Sequence, residues 1–313
     1  MLVDTHTGPV NVAIAIPTRF RVEELAQTMH KMPFLVGADT YIGVDTREYA
    51  SYAPVRKLFP SLVWETYLNE PPRVGFCRER LRRRIAADSR YDYVVLSDDI
   101  KRFDLKSFTN LVRCAAEFPT QPCTAHGFHE SRSFYGSGTQ DYPDFRTVNG
   151  IRSYEGNSCS PSAVNMSLYR TFFYPEDVDM GEDTYMTFWM LEHGYDSIRV
   201  CYDAPYSGRR HQPGGTHVAD PNEKLIRAGL STAVLAKAFP LFYGAAGVTN
   251  VAWKFVFALA RGYRFRERPP GGSPRLHSDI LAEMERWNGP VKVRPEPRTT
   301  IRRPRRKRGH RAD

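Results

Sequence analysis

Apolar residues in the first part of this chain occur either in short unbroken runs or at helical spacing, and the two textures alternate. Residues 12–16 (VAIAI) read as a buried strand closed by Pro17, Thr18 and Arg19, and residues 22–32 follow with helical spacing. Residues 41–44 form a second strand ending at Asp45, residues 62–67 a third, residues 74–87 a helix, residues 91–96 (YDYVVL) a fourth strand and residues 105–118 another helix. Strand alternating with helix predicts an α/β fold of Rossmann-like type, a mostly parallel sheet with helices on its faces.

The texture changes at residues 119–160, where Gly, Ser, Pro and aromatic residues predict irregular or hairpin structure, with Asn149-Gly150 as a turn. Phe128, Phe134, Tyr135, Tyr142, Phe145 and Tyr154 suit a groove that grips a flat or extended partner. Residues 163–168 return to strand, 182–191 to helix and 197–201 to strand. The apolar stretch 228–260 is interrupted by Lys237, Pro240, Gly244, Asn250 and Lys254, which predicts two core helices and no membrane span. Residues 274–287 read as an amphipathic helix. Beyond Gly289 the chain is rich in Pro and Arg and is expected to be disordered.

Composition adds two points to this picture. Of the net charge of +9 over 313 residues, the last twenty positions carry nine Lys or Arg against Glu296 and Asp313, so the rest of the chain is nearly neutral. Such a tail is the electrostatic footprint of phosphate binding or of a localisation signal, and Arg302, Arg303, Arg305, Arg306, Lys307 and Arg308 are its candidate DNA contacts. Five cysteines with no CxxC spacing argue against a disulfide framework or a zinc site. With no leader pattern at the N-terminus, a reducing cytoplasm is the expected compartment.

The chemistry is expected from two acidic clusters. Ser97, Asp98 and Asp99 follow the strand at 91–96, at the carboxyl end of the sheet, where open α/β folds bind ligands. Asp99 there suits Mg²⁺ or Mn²⁺, which would neutralise a departing diphosphate. Glu182 and Asp183 open a helix, a rigid mount for a carboxylate that takes a proton, with Asp183 as the expected base and Glu182 beside it. Arg78 lies near the sheet end, within reach of phosphates. His211, in a Gly- and Arg-rich loop, is a candidate metal ligand.

In order, these elements resemble a GT-A glycosyltransferase over residues 10–215: a strand with a Pro-containing loop (residues 14–19), a strand ending in Asp45, a helix bearing Arg78 and Arg82, an Asp cluster after a strand, a later Glu182-Asp183 and a C-terminal His211. Within that fold the chain is most similar to the TET/JBP-associated glycosyltransferases of phages and kinetoplastids, the group of the base J glucosyltransferase. The residues that carry this likeness are Pro17-Thr18-Arg19, Arg78-Glu79, Ser97-Asp98-Asp99, Gly181-Glu182-Asp183 and the stretch 211–215. The resemblance implies transfer of a hexose, glucose first among them, from a UDP-sugar to the hydroxymethyl group of 5-hydroxymethylcytosine or 5-hydroxymethyluracil in DNA, in a host cytoplasm if the chain is encoded by a bacteriophage. It further implies donor contacts from Pro17, Thr18, Arg19, Asp45, Arg78, Ser97 and Asp98, and a metal on Asp99 and His211. Ser97 departs from the pattern, standing where the group has a carboxylate. Residues 10–118 would form the donor half, 119–215 the acceptor half, 216–289 a helical extension and 290–313 the tail. The alternatives are a GT-A enzyme acting on a glycan, lipid or protein, and an inactive module that binds nucleic acid.

Overall fold

The computed structural model describes residues 1–68, 73–127, 145–156, 160–176, 182–193 and 198–208. His211, the helices expected within 216–289 and the basic tail lie outside the described residues.

An eleven-stranded mixed sheet forms the centre, with helices on both faces. Its parallel part is β4 (Val63–Tyr67), β3 (Asp39–Asp45), β2 (Gly8–Pro17) and β5 (Tyr93–Leu96), side by side in that order. Next comes β10 (Ser162–Asn165), antiparallel to both β5 and β7 (Cys123–Gly127). Because β10 is inverted between them, β5 and β7 run the same way. The sheet continues through β11 (Ile198–Gly208), parallel to β7, and closes with the hairpin of β9 (Ile151–Gly156) and β8 (Arg146–Val148). Two short strands lie off this path: β1 (Leu2–Thr5) pairs with β2, and β6 (Lys101–Arg102) with β11.

Side chains of β2 alternate between the two layers. Val12, Ile14 and Ile16 point towards α1 (Val22–Lys31), α2 (Pro33–Val36), α3 (Ala53–Leu58) and α5 (Leu105–Glu117). Ala13 and Ala15 point the other way, towards α4 (Val74–Ala86), α6 (Met166–Thr171) and α7 (Glu182–Glu192). Small residues on that second face let α4 sit close to the sheet. Gly43 shows how close, since a Cβ built there would lie 2.6 Å from Cys77 Sγ and 2.9 Å from Leu81 Cδ1.

Most expected elements are present, with two differences. The strand expected at 163–168 ends at Asn165, whose side chain accepts the Ser167 amide at 2.8 Å and so caps α6. Residues 123–127, expected to be irregular, form β7 in the middle of the sheet. The β8–β9 hairpin turns at Asn149 (φ +47°) and Gly150 (φ +79°), the two left-handed positions that a tight hairpin demands. Among the described residues no helix is long and apolar enough to cross a membrane.

Candidate active site

The chain moves outward from β2 through β3 and β4, then returns to the other side of β2 with β5. At such a reversal of strand order a crevice opens beyond the carboxyl ends of the strands. Residues 17–21 after β2 and 97–100 after β5 border it. Pro17 ends β2, the Thr18 amide donates to the Gly43 carbonyl at 2.9 Å, and the Ser97 amide donates to the Ala15 carbonyl at 2.9 Å, so both loops leave from positions fixed by the sheet.

Asp99 does not face the crevice. The Thr18 hydroxyl donates to its Oδ2 at 2.7 Å, the Arg21 guanidinium donates to its Oδ1 at 2.8 Å, and the carboxylate is 2% exposed. The Thr28 hydroxyl holds its backbone carbonyl at 2.6 Å. Burial lifts the Asp99 carboxyl to about 6, although Arg21 draws it down. The carboxylate expected to carry a cation has both oxygens bonded to Thr18 and Arg21, and it ties the two loops to each other and to α1. Its neighbour Asp98 is the outward carboxylate, with 31% of its side chain exposed. Ser97 is fully buried, and its hydroxyl lies 3.4 Å from the Asp98 carbonyl.

On the β3 side, Asp45 is buried and accepts from Arg47 through Oδ1 at 2.9 Å and Oδ2 at 2.7 Å, and these bonds hold its carboxyl below the usual range. Arg19 lies 3.8 Å from Glu48, which accepts the Phe20 amide at 2.6 Å and whose own pKa is raised by burial. Phe20 is at φ +54° with its side chain 64% exposed, and the Arg19 guanidinium is 5.3 Å from its ring centroid. A bulky residue in left-handed backbone costs roughly 1 kcal/mol, so the loop spends conformational energy to turn an aromatic ring outward. The sequence pattern does not single out Phe20, Arg21 or Glu48, nor Tyr52, whose hydroxyl lies 3.0 Å from Thr18 Oγ1 and accepts the Arg21 amide at 3.1 Å; an aromatic residue just after a strand-end Pro-Thr was the one available signal.

Arg78 links the loop after β5 to α7. Only 3% exposed, it donates from Nη2 to Asp98 Oδ1 at 2.9 Å and from Nε to Glu182 Oε1 at 3.0 Å. These two carboxylates keep the guanidinium firmly protonated despite burial. Asp183 follows Glu182 on the first turn of α7, where burial and then the charge of Glu182 raise its carboxyl to about 7. A carboxylate raised into that range is a competent proton acceptor near neutrality. The structure thus gathers Arg78, Asp98, Glu182 and Asp183, places Thr18, Arg19 and Asp45 along the same edge, and turns Asp99 inward. Among the described residues no group of three or more His, Cys, Asp or Glu is arranged to hold a metal.

No family model matches the chain, and no curated protein matches it in sequence. Solved structures do. GalNAc-T7 with UDP, GalNAc and Mn²⁺ superposes with a TM-score of 0.53 at 10% identity, covering 88% of this chain and 56% of that one. The fold is that of the GT-A glycosyltransferases. Also similar are S. aureus TarS 1–349 with UDP-GlcNAc (TM-score 0.48, 13% identity, 88% of this chain and 79% of that one) and the glucosyl-3-phosphoglycerate synthase of Mycobacterium tuberculosis with Mg²⁺ and UDP (0.46, 14%, 74% and 80%). Against another S. aureus TarS structure this chain spans half of the partner's length.

Proposed function

We propose that this protein is a nucleotide-sugar transferase that moves a hexose from a UDP-sugar to the hydroxymethyl group of a 5-hydroxymethylpyrimidine in DNA. The observation that carries the transferase reading is the Arg78 clamp, which joins an outward carboxylate after β5 to the acidic start of α7 at the point of strand reversal. In this scheme the donor base lies along the Phe20 ring and its diphosphate reaches Asp98. The acceptor hydroxyl gives its proton to Asp183 while its oxygen bonds to the anomeric carbon, and the diphosphate leaves with the electron pair of the broken carbon–oxygen bond. Glu182, held by Arg78, fixes the first turn of α7 for that transfer.

The proposed reading includes a divalent cation. Asp98 is a hard oxygen donor with an open side, and Mg²⁺ is commonly held by one or two carboxylates together with substrate phosphate oxygens. We assign Asp98 to it, with His211 as a second proposed ligand, and when bound the ion would neutralise charge on the leaving diphosphate. The DNA acceptor is supported by the sequence of the tail, whose cations suit a phosphate backbone.

To test the reading, the protein is incubated with Mn²⁺, a panel of UDP-sugars and DNA containing hydroxymethylcytosine or hydroxymethyluracil, and the digested nucleosides are weighed. A hexose mass gained on the modified nucleoside is expected. Donor hydrolysis without transfer to any DNA would move the acceptor to a glycan, lipid or protein, and no donor turnover at all would leave a binding module.

A further inference from the structure

The far side of the sheet holds a group of rings and a cation that the scheme above does not use. Leu96, Ser162 and Thr124 stand opposite one another across β5, β10 and β7, and Leu96 packs into the layer that contains α7. His126, two positions beyond Thr124, therefore faces that layer at the same carboxyl edge as Asp98. Its Nδ1 is 3.0 Å from the Tyr154 hydroxyl, and its ring centroid is 4.9 Å from that of Tyr202. Tyr202 in turn meets the Phe145 ring at 5.8 Å and the Arg152 guanidinium at 4.7 Å from its centroid. Asp203 holds Arg152 in place. The outer members are open to solvent: Phe145 is 42% exposed and the Arg152 side chain 51%.

We propose that Phe145 and Arg152, backed by Tyr202 and His126, form a stacking platform for a nucleobase of the acceptor strand that flanks the reacting pyrimidine. The inference rests on the DNA-acceptor reading. Arg152 stands on β9, four strand steps from β5, roughly 19 Å at the usual strand spacing. The reacting ring has to sit beside the donor sugar, so a ring on this platform belongs farther along the same strand. An aromatic face next to a planar guanidinium is how proteins hold unstacked bases without reading their sequence.

The test uses three substrates: the donor alone with water as acceptor, the free hydroxymethylated nucleoside, and a single-stranded oligonucleotide carrying the same modified base. Phe145→Ala and Arg152→Lys should each raise KM for the oligonucleotide on the order of tenfold. Donor hydrolysis and transfer to the free nucleoside should stay at the wild-type level. Arg152→Lys keeps the charge and removes the plane, which separates stacking from attraction to phosphate. Wild-type oligonucleotide kinetics in both variants would overturn the platform while leaving the DNA reading intact. Equal losses on all three substrates would overturn it too, as a structural role. No transfer by the wild type to any DNA would instead remove the reading on which the platform rests.

Discussion

Adjacent carboxylates after β5 have opposite surroundings, Asp98 turned to solvent and Asp99 buried. Asp98→Asn removes the outward charge without changing volume and leaves an oxygen to accept from Arg78, so transfer should fall by orders of magnitude while the thermal midpoint drops less than in Asp99→Ala. Asp99→Ala should do the reverse in emphasis, costing on the order of 3 kcal/mol of stability because Thr18 and Arg21 both lose a buried acceptor. Paired melting curves and rates decide between the two assignments, and an unchanged melt for Asp99→Ala would refute the inward one. The raised Asp183 carboxyl makes a further prediction. As a base it must be ionised, so kcat/KM should climb as pH rises through about 7. Glu182→Gln removes a like charge, and the climb should shift to lower pH; an unmoved profile would exclude Asp183 as the titrating base. The same group affects folding in the opposite sense: it binds its proton more tightly folded than unfolded, so its contribution is full below pH 3.8 and is lost as pH rises through about 7. That carboxylates gather after residues 91–96 was legible in the sequence. Which of the two turns outward was not, because alternation fixes side-chain direction only while the strand lasts, and β5 ends at Leu96.

At the scale of elements, α4 depends on a close seat against β3. Its close approach at Gly43 means that Gly43→Ala must displace Cys77 and Leu81, both 1% exposed, at a cost of about 1–3 kcal/mol. Arg78 is the next residue on that helix, so the same change should also slow transfer beyond what the lost stability explains. Rates measured well below the melting temperature test this, and a destabilised variant with full activity would show that the clamp tolerates movement of its helix. The helix itself, like β2, β3, β5 and α5, was readable from apolar spacing, since each buries one face or both. By contrast, β7 was hidden in a stretch of Gly, Ser and aromatic residues. Its short run (CTAHG) gains strand character from lying between β10 and β11, a tertiary cause that local pattern does not record. The Asn149-Gly150 turn was visible because its chemistry is local.

At the scale of the molecule, the sheet changes character at β10, with parallel strands and the outward Asp98 on one side and the β7, β11, β9 group on the other. One guanidinium reaches both acidic clusters, and this has a thermodynamic consequence. In the proposed scheme, whatever engages Asp98 takes away part of what Arg78 holds and leaves it more fully to Glu182, so that occupancy of the donor side would be felt at the start of α7. Linkage is then mutual: the factor by which UDP changes affinity for acceptor must equal the factor by which acceptor changes affinity for UDP. Titration calorimetry run in both orders should return one number different from unity, and Arg78→Met should bring it towards one. Were the coupling to survive in that variant, the two ligands would be communicating by another route. In the proposed scheme a single buried cation shared by two carboxylates thus couples the two ligands equally in either order of arrival, donor and acceptor each registering the presence of the other.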